Sequence, residues 1–150
     1  MRAYRTLAYA FTLAIVFLVA GCATTPQANP AVTAANNPPA EGKGRIVFYR
    51  PGDLFGYGMR SDVFVDWIRV GRSIPSSQFW VDVPYGVHHI TVPNTLYSGA
   101  RTLDVTVGQS AFVYIRMSLG GSAIAGRTNL EIIPPTQGAQ ETAGLKLVNR

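Results

Sequence analysis

The stretch Gln78-Phe79-Trp80-Val81-Asp82-Val83-Pro84-Tyr85-Gly86-Val87-His88-His89-Ile90-Thr91-Val92 decides the fold class. Phe79, Val81 and Val83 alternate with Gln78, Trp80 and Asp82, the period of two that places one set on each face of a β-strand. Pro84-Tyr85-Gly86 then turns the chain. Val87–Val92 forms the next strand. Strands with one apolar side need a second layer to cover that side.

Outward from this stretch the pattern repeats. Arg45–Arg50 reads as a strand stopped by Pro51-Gly52, and Phe55-Gly56-Tyr57-Gly58 as a loop. Asp62–Trp67 and Ile68–Arg72 read as two strands joined by a tight turn. Thr102–Val107 alternates cleanly, Ala111–Ser118 is the longest strand, and Asn129–Ile133 ends before Pro134-Pro135. A helical turn or two fits within Pro135–Ala143, and a last short strand at Leu145–Val148. About eight strands at roughly ten-residue spacing predict an all-β fold, a small antiparallel β-sandwich of about seven or eight strands, with a closed barrel as the other geometry. The expected core draws on Val47, Tyr49, Val63, Val65, Phe79, Val81, Ile90, Val92, Leu103, Val105, Val113 and Ile115.

The N-terminus reads as an address. Arg2 and Arg5 precede a near-continuous apolar run from Leu7 to Ala20. A spanning helix needs about 20 apolar residues and a signal-peptide core only about 7–15, so the run fits a secretory signal. It ends in Val19-Ala20-Gly21-Cys22, which resembles the bacterial lipobox. That resemblance implies diacylglycerol on Cys22, cleavage after Gly21, and a membrane-anchored protein. The lipoprotein class carries an aspartate after the cysteine when it is retained in the inner membrane. Ala23 stands there instead, which implies an outer-membrane lipoprotein on the periplasmic face. Cys22 is the only cysteine, so lipidation leaves the mature domain without thiols, disulfides or cysteine metal sites. The organisation is a signal peptide over 1–21, a lipidated cysteine and tether over 22–44, and a β domain over 45–150. The tether is rich in Ala, Thr, Asn and Pro without apolar periodicity, and 22 such residues span about 25 Å as a coil.

Two segments resemble a known family. They are Gly44-Arg45-Ile46-Val47-Phe48-Tyr49-Arg50-Pro51 and the run from Val63-Phe64-Val65-Asp66 through Val70-Gly71 and Phe79-Trp80-Val81-Asp82-Val83-Pro84-Tyr85-Gly86 to Val92. Together they look like the DUF2846 group of bacterial lipoproteins, and the second is similar to PEGA-type β modules. The resemblance implies a prealbumin-like or PEGA-like sandwich and carries no activity. Where the pattern has glycine after the hairpin aspartate, this chain has Trp67. A turn requiring φ > 0 strains at tryptophan, so a different turn type or a register shift is expected there.

The chemistry of the remaining residues points away from catalysis. His88 and His89 are adjacent on a strand and face opposite sides, so they cannot share a metal. His88 is expected to pack and hydrogen-bond near the Pro84–Gly86 turn. The acids are scattered, no G-x-S-x-G elbow occurs, and the glycine-rich run 118–126 lacks the lysine of a phosphate loop. No cofactor and no metal are expected. After signal removal Lys and Arg fall from 13 to 11 against 8 acids, a net charge of +3. That is too small to indicate nucleic acid. The aromatic residues Trp67, Trp80, Tyr57 and Tyr85 with Arg69 form a candidate binding patch for an envelope protein or a cell-wall glycan. The expected function is a non-catalytic binding or scaffolding module, an enzyme with a cryptic site being the contrasting class.

Overall fold

The computed structural model describes Ala34 and residues 37–52, 58–96, 98–120 and 127–148. The described residues form an all-β sandwich with one helix. Its strands are β1 (Gly44–Arg50), β2 (Ser61–Val65), β3 (Ile68–Ser73), β4 (Ser77–Val83), β5 (Gly86–Pro93), β6 (Ala100–Val107), β7 (Phe112–Gly120), β8 (Arg127–Ile133) and β9 (Lys146–Leu147). Helix α1 (Pro135–Thr142) separates the last two. One sheet runs β8-β7-β1-β4-β9 and the other β3-β2-β5-β6. The four-stranded sheet is antiparallel throughout. The five-stranded sheet is mixed, because β1 pairs β7 in parallel and β9 joins β4 in parallel.

The two sheets enclose a core of Ile46, Phe48, Val63, Val65, Phe79, Val83, Ile90, Val92, Val105, Val107, Ile115 and Met117. Phe48 and Phe79 stack across β1 and β4 with ring centroids 5.1 Å apart. Val81, Leu103 and Val113 line this core from partly buried positions. Val47 and Tyr49, expected in the same core, face the other way. They form a second cluster with Tyr114, Ile133 and Ala34 on the outer face of the five-stranded sheet. Every residue of β1 is buried because that sheet is covered on both sides. A strand buried on both faces reads as a continuous apolar run, and alternation cannot tell which residues face which layer.

Helix α1 covers part of that outer face. Pro135 occupies its first turn, where a missing N–H costs nothing. Gly138 sits directly on the Tyr114 ring, where an added Cβ would lie 2.2 Å from Cγ. The Gln78 amide on β4 donates to Thr142 O at 2.9 Å and Leu145 O at 3.1 Å, tying down the end of the helix. The Tyr49 hydroxyl donates to Glu141 at 2.7 Å. Burial, then this bond, pushes the Tyr49 phenol up; the same bond, helped by Gln137, holds the Glu141 carboxyl below its ordinary range.

The stretch immediately before β1 covers the rest. Arg45, only 2% exposed, forms a two-bond fork with Asp82, Nε to Oδ1 at 2.6 Å and Nη2 to Oδ2 at 2.9 Å. Its guanidinium also donates to the carbonyls of Ala34, Asn37 and Pro38. It lies over the Trp80 ring at 4.9 Å and near Phe112 at 5.9 Å. Asp82 in turn accepts from the Ala40 backbone N–H at 2.8 Å. Residues read as tether from 22 to 44 therefore include a docked strap, Ala34 and 37–43, held by one buried cation.

Candidate functional site

The β2–β3 hairpin pairs Val65 with Ile68, leaving Asp66 and Trp67 as its two-residue loop. Both have positive φ, 50° and 66°, the conformation of a type I′ turn. Of the two expectations, a different turn type is corrected, while the register does shift between Val63, which pairs Gly71, and Phe64, which pairs Arg69. The left-handed region costs an L-residue roughly 1–2 kcal/mol, and a bulky side chain there persists only where its surroundings over-determine it.

The surroundings here do so. The Asp66 backbone N–H donates to His89 O at 2.8 Å. Asp66 Oδ1 accepts from the His89 backbone N–H at 2.9 Å, and Oδ2 faces His88 Nδ1 at 2.7 Å. His88 is buried, and its Nε2 lies 2.9 Å from Pro84 O. Both partners of this ring are acceptors, so both bonds form together only when both nitrogens carry protons. Both nitrogens are committed, leaving neither to activate a nucleophile. The Trp67 indole stacks on the His89 imidazole, with centroids 5.8 Å apart and planes at 27°. His89 Nδ1 is fixed by Asp104 Oδ1 at 2.6 Å. Trp67 is nonetheless 79% exposed. One ring face rests on His89 and the other meets solvent.

Around this tip lies the outer face of the four-stranded sheet. Phe64 pairs Thr91, Thr91 pairs Thr102, His89 pairs Asp104 and Val87 pairs Thr106. Arg69 and Arg72 both donate to Asp62 Oδ1, at 3.0 and 2.9 Å. These bonds, Arg72 first, hold the Asp62 carboxyl below its ordinary range.

The residues expected to form one patch fall in different places. Trp67 and Arg69 share the β2–β3 hairpin, and exposed Tyr85 lies in the β4–β5 turn beside exposed Val87. Trp80 lies on the opposite side of the sandwich, beneath Arg45 and in the second cluster. Tyr57 and Cys22, the expected lipidation residue, lie outside the described residues. Sequence reading missed Asp66, His89 and Asp104 as a unit. Their pairing depends on strand register, although an aspartate preceding a tryptophan at a hairpin tip marks the place. Among the described residues no group of three His, Cys, Asp or Glu side chains could hold a metal ion, and no helix is long and apolar enough to cross a membrane. At the far end of the β5–β6 hairpin, Asn94, Ser98, Gly99, Ala100, Arg101 and Arg127 line an open cavity of about 260 Å³. It lies below the roughly 300–1,000 Å³ of typical ligand pockets.

Two outcomes follow from the tip. The His88 bond, and after it the His89 backbone N–H, hold the Asp66 carboxyl below its ordinary value. A carboxyl depressed by folding adds stability above its unfolded pKa, and that stability is lost as pH falls through the folded value. The turn is thus expected to hold above about pH 4 and to loosen below it. On the acid limb the His89 amide proton should move with Asp66 in NMR titrations, and Asp66→Asn should remove that movement. A Trp67→Gly change should leave the melting temperature unchanged or raise it. Relief of about 1–2 kcal/mol of left-handed strain outweighs the roughly 0.5–1 kcal/mol entropic cost of glycine. A fall of several degrees would show that the indole itself holds the turn together.

Comparison with known proteins adds one relative. An uncharacterized protein of Haemophilus influenzae is 23% identical over 145 residues, covering 93% of this chain and 83% of its own length. No family model matches the chain, and no solved structure matches it.

Proposed function

We propose that this chain is an outer-membrane lipoprotein, anchored through acyl chains on Cys22, whose folded domain is a non-catalytic binding module. The anchor rests on the Arg2/Arg5, Leu7–Ala20 and Val19-Ala20-Gly21-Cys22 pattern. The docked strap supports a close tether. From Cys22 to buried Ala34 only twelve residue steps remain, a reach of about 40 Å at full extension. The contact surface is the outer face of the four-stranded sheet around Trp67. One observation carries this reading: a strained two-residue turn, braced by four strand atoms and side chains, holds a tryptophan 79% exposed. Strain kept at an exposed aromatic marks a recognition element rather than a folding requirement.

A photo-crosslinking phenylalanine analogue at position 67, compared with one at Thr136 on α1, tests this in intact envelopes. Discrete adducts from position 67 and none from position 136 are expected. The same adducts from both positions, or none from either, would overturn the assigned surface.

A further inference from the structure

Resting on the contact surface just assigned, we infer that its ligand is an uncharged saccharide chain, stacked on the free face of Trp67. Three features of the face select that chemistry. The first is the platform itself. The indole is held at a fixed angle by His89, which Asp104 holds in turn, so little ordering remains to be lost on binding. A flat ring with one free π-face accepts the C–H face of a pyranose as it accepts any apolar plane.

The second feature is the polar surface beside it. Thr91, Thr102 and Thr106 point outward along β5 and β6, and their hydroxyls have no hydrogen-bond partner among the described residues. Asp104 uses one oxygen on His89, and its second oxygen has no partner among the described residues and is exposed. Hydroxyls that donate and accept, with a carboxylate that accepts, match the hydroxyls of a sugar, each of which does both. The flat arrangement of short side chains leaves room for a chain lying across the strands.

The third feature is charge. Asp62 is matched by Arg69 and Arg72, Asp66 by His88, and Asp104 by His89. Acidic and basic side chains alternate across this face, and Arg69 and Arg72 share one carboxylate, so it presents no cluster of a single sign. A polyanion or a polycationic peptide gains little here, while a neutral hydroxylated chain avoids the desolvation that charged ligands meet.

The mature lipoprotein, ¹⁵N-labelled and held in a detergent without a sugar headgroup, is titrated with N-acetylglucosamine hexamer, with cellohexaose and with heparin. At least one neutral hexamer should give saturable shifts confined to the Trp67 indole, Asp66, His89, Thr91, Thr102 and Asp104. Trp67→Ala should weaken that binding at least tenfold, Trp67→Tyr should restore most of it, and Trp80→Phe should leave it unchanged. Heparin should give no saturable shift at this face. Absence of shifts with both neutral hexamers, or a stronger response to heparin, would overturn the saccharide assignment. If adducts still form from position 67 in envelopes, the surface stands and only its ligand is refuted. If they do not, the surface falls as well.

Discussion

Replacing Asp82 with alanine should destabilise the folded domain by about 3–5 kcal/mol, the usual cost of stranding one member of a buried ion pair. Arg45 is 2% exposed and reaches Asp82 through two short bonds, so its charge would be left facing Trp80, Phe112 and three strap carbonyls. The carbonyls offer partial dipoles but no balancing charge. In a domain of about 100 residues this loss corresponds to a fall of roughly 15 °C or more in melting temperature. Combining Asp82→Ala with Arg45→Met should recover part of the loss, because an apolar side chain of similar length needs no counter-charge. Denaturant unfolding of the two single variants and the double variant measures this directly. A cost under 1 kcal/mol for Asp82→Ala would mean that the strap does not dock through Arg45.

The second large effect is expected at Gly138. An alanine Cβ there would fall 2.2 Å from Tyr114 Cγ and 2.5 Å from its Cβ. These are atoms near the backbone of a central strand and cannot swing aside. The helix must rise from the sheet, at the roughly 1–3 kcal/mol typical of overpacking, loosening the Tyr49–Glu141 and Gln78–Thr142 bonds with it. Gly144→Ala is the matched control. A Cβ at Gly144 meets nothing within 4 Å, so that change should stay within about 0.5 kcal/mol. Equal stability of the two variants would show that α1 is not seated on Tyr114.

Much of the architecture was legible in the residues, and the exceptions share a cause. The alternation in Thr102–Val107 identifies an inner face of Leu103, Val105 and Val107, and these side chains do line the core. The Pro134-Pro135 pair marks both the end of β8 and the start of a helix. In β1, by contrast, Ile46 and Phe48 face one layer while Val47 and Tyr49 face another. All four are apolar, so period-two reading has nothing to separate. The second covering layer comes from α1 and the strap, and a strap without apolar periodicity gives no sign that Ala34 is buried. Its docking depends on Arg45 meeting Asp82, 37 residues away, through a register that only the folded sheet defines.

The site shows the same division. Alternation correctly sets Trp80 on the face away from Phe79 and Val81, but that face is covered by Arg45 rather than open. Trp67 is placed at a hairpin tip by the sequence, while its backbone conformation is not, because local propensity argues against tryptophan at positive φ. Bonds from His88 and His89 to the neighbouring Asp66, with the stack of the indole on His89, reverse that preference. A local rule broken in this way, with compensation supplied from a neighbouring strand, is a mark of function in natural sequences.

The proposed membrane anchor depends on where the mature chain begins and what its first residue carries. Intact-mass measurement of the protein purified from membranes answers both at once. It should show a chain starting at residue 22 with a diacylglycerol mass on its first residue. A mature chain starting elsewhere, or one with an unmodified thiol at position 22, would refute the lipid anchor.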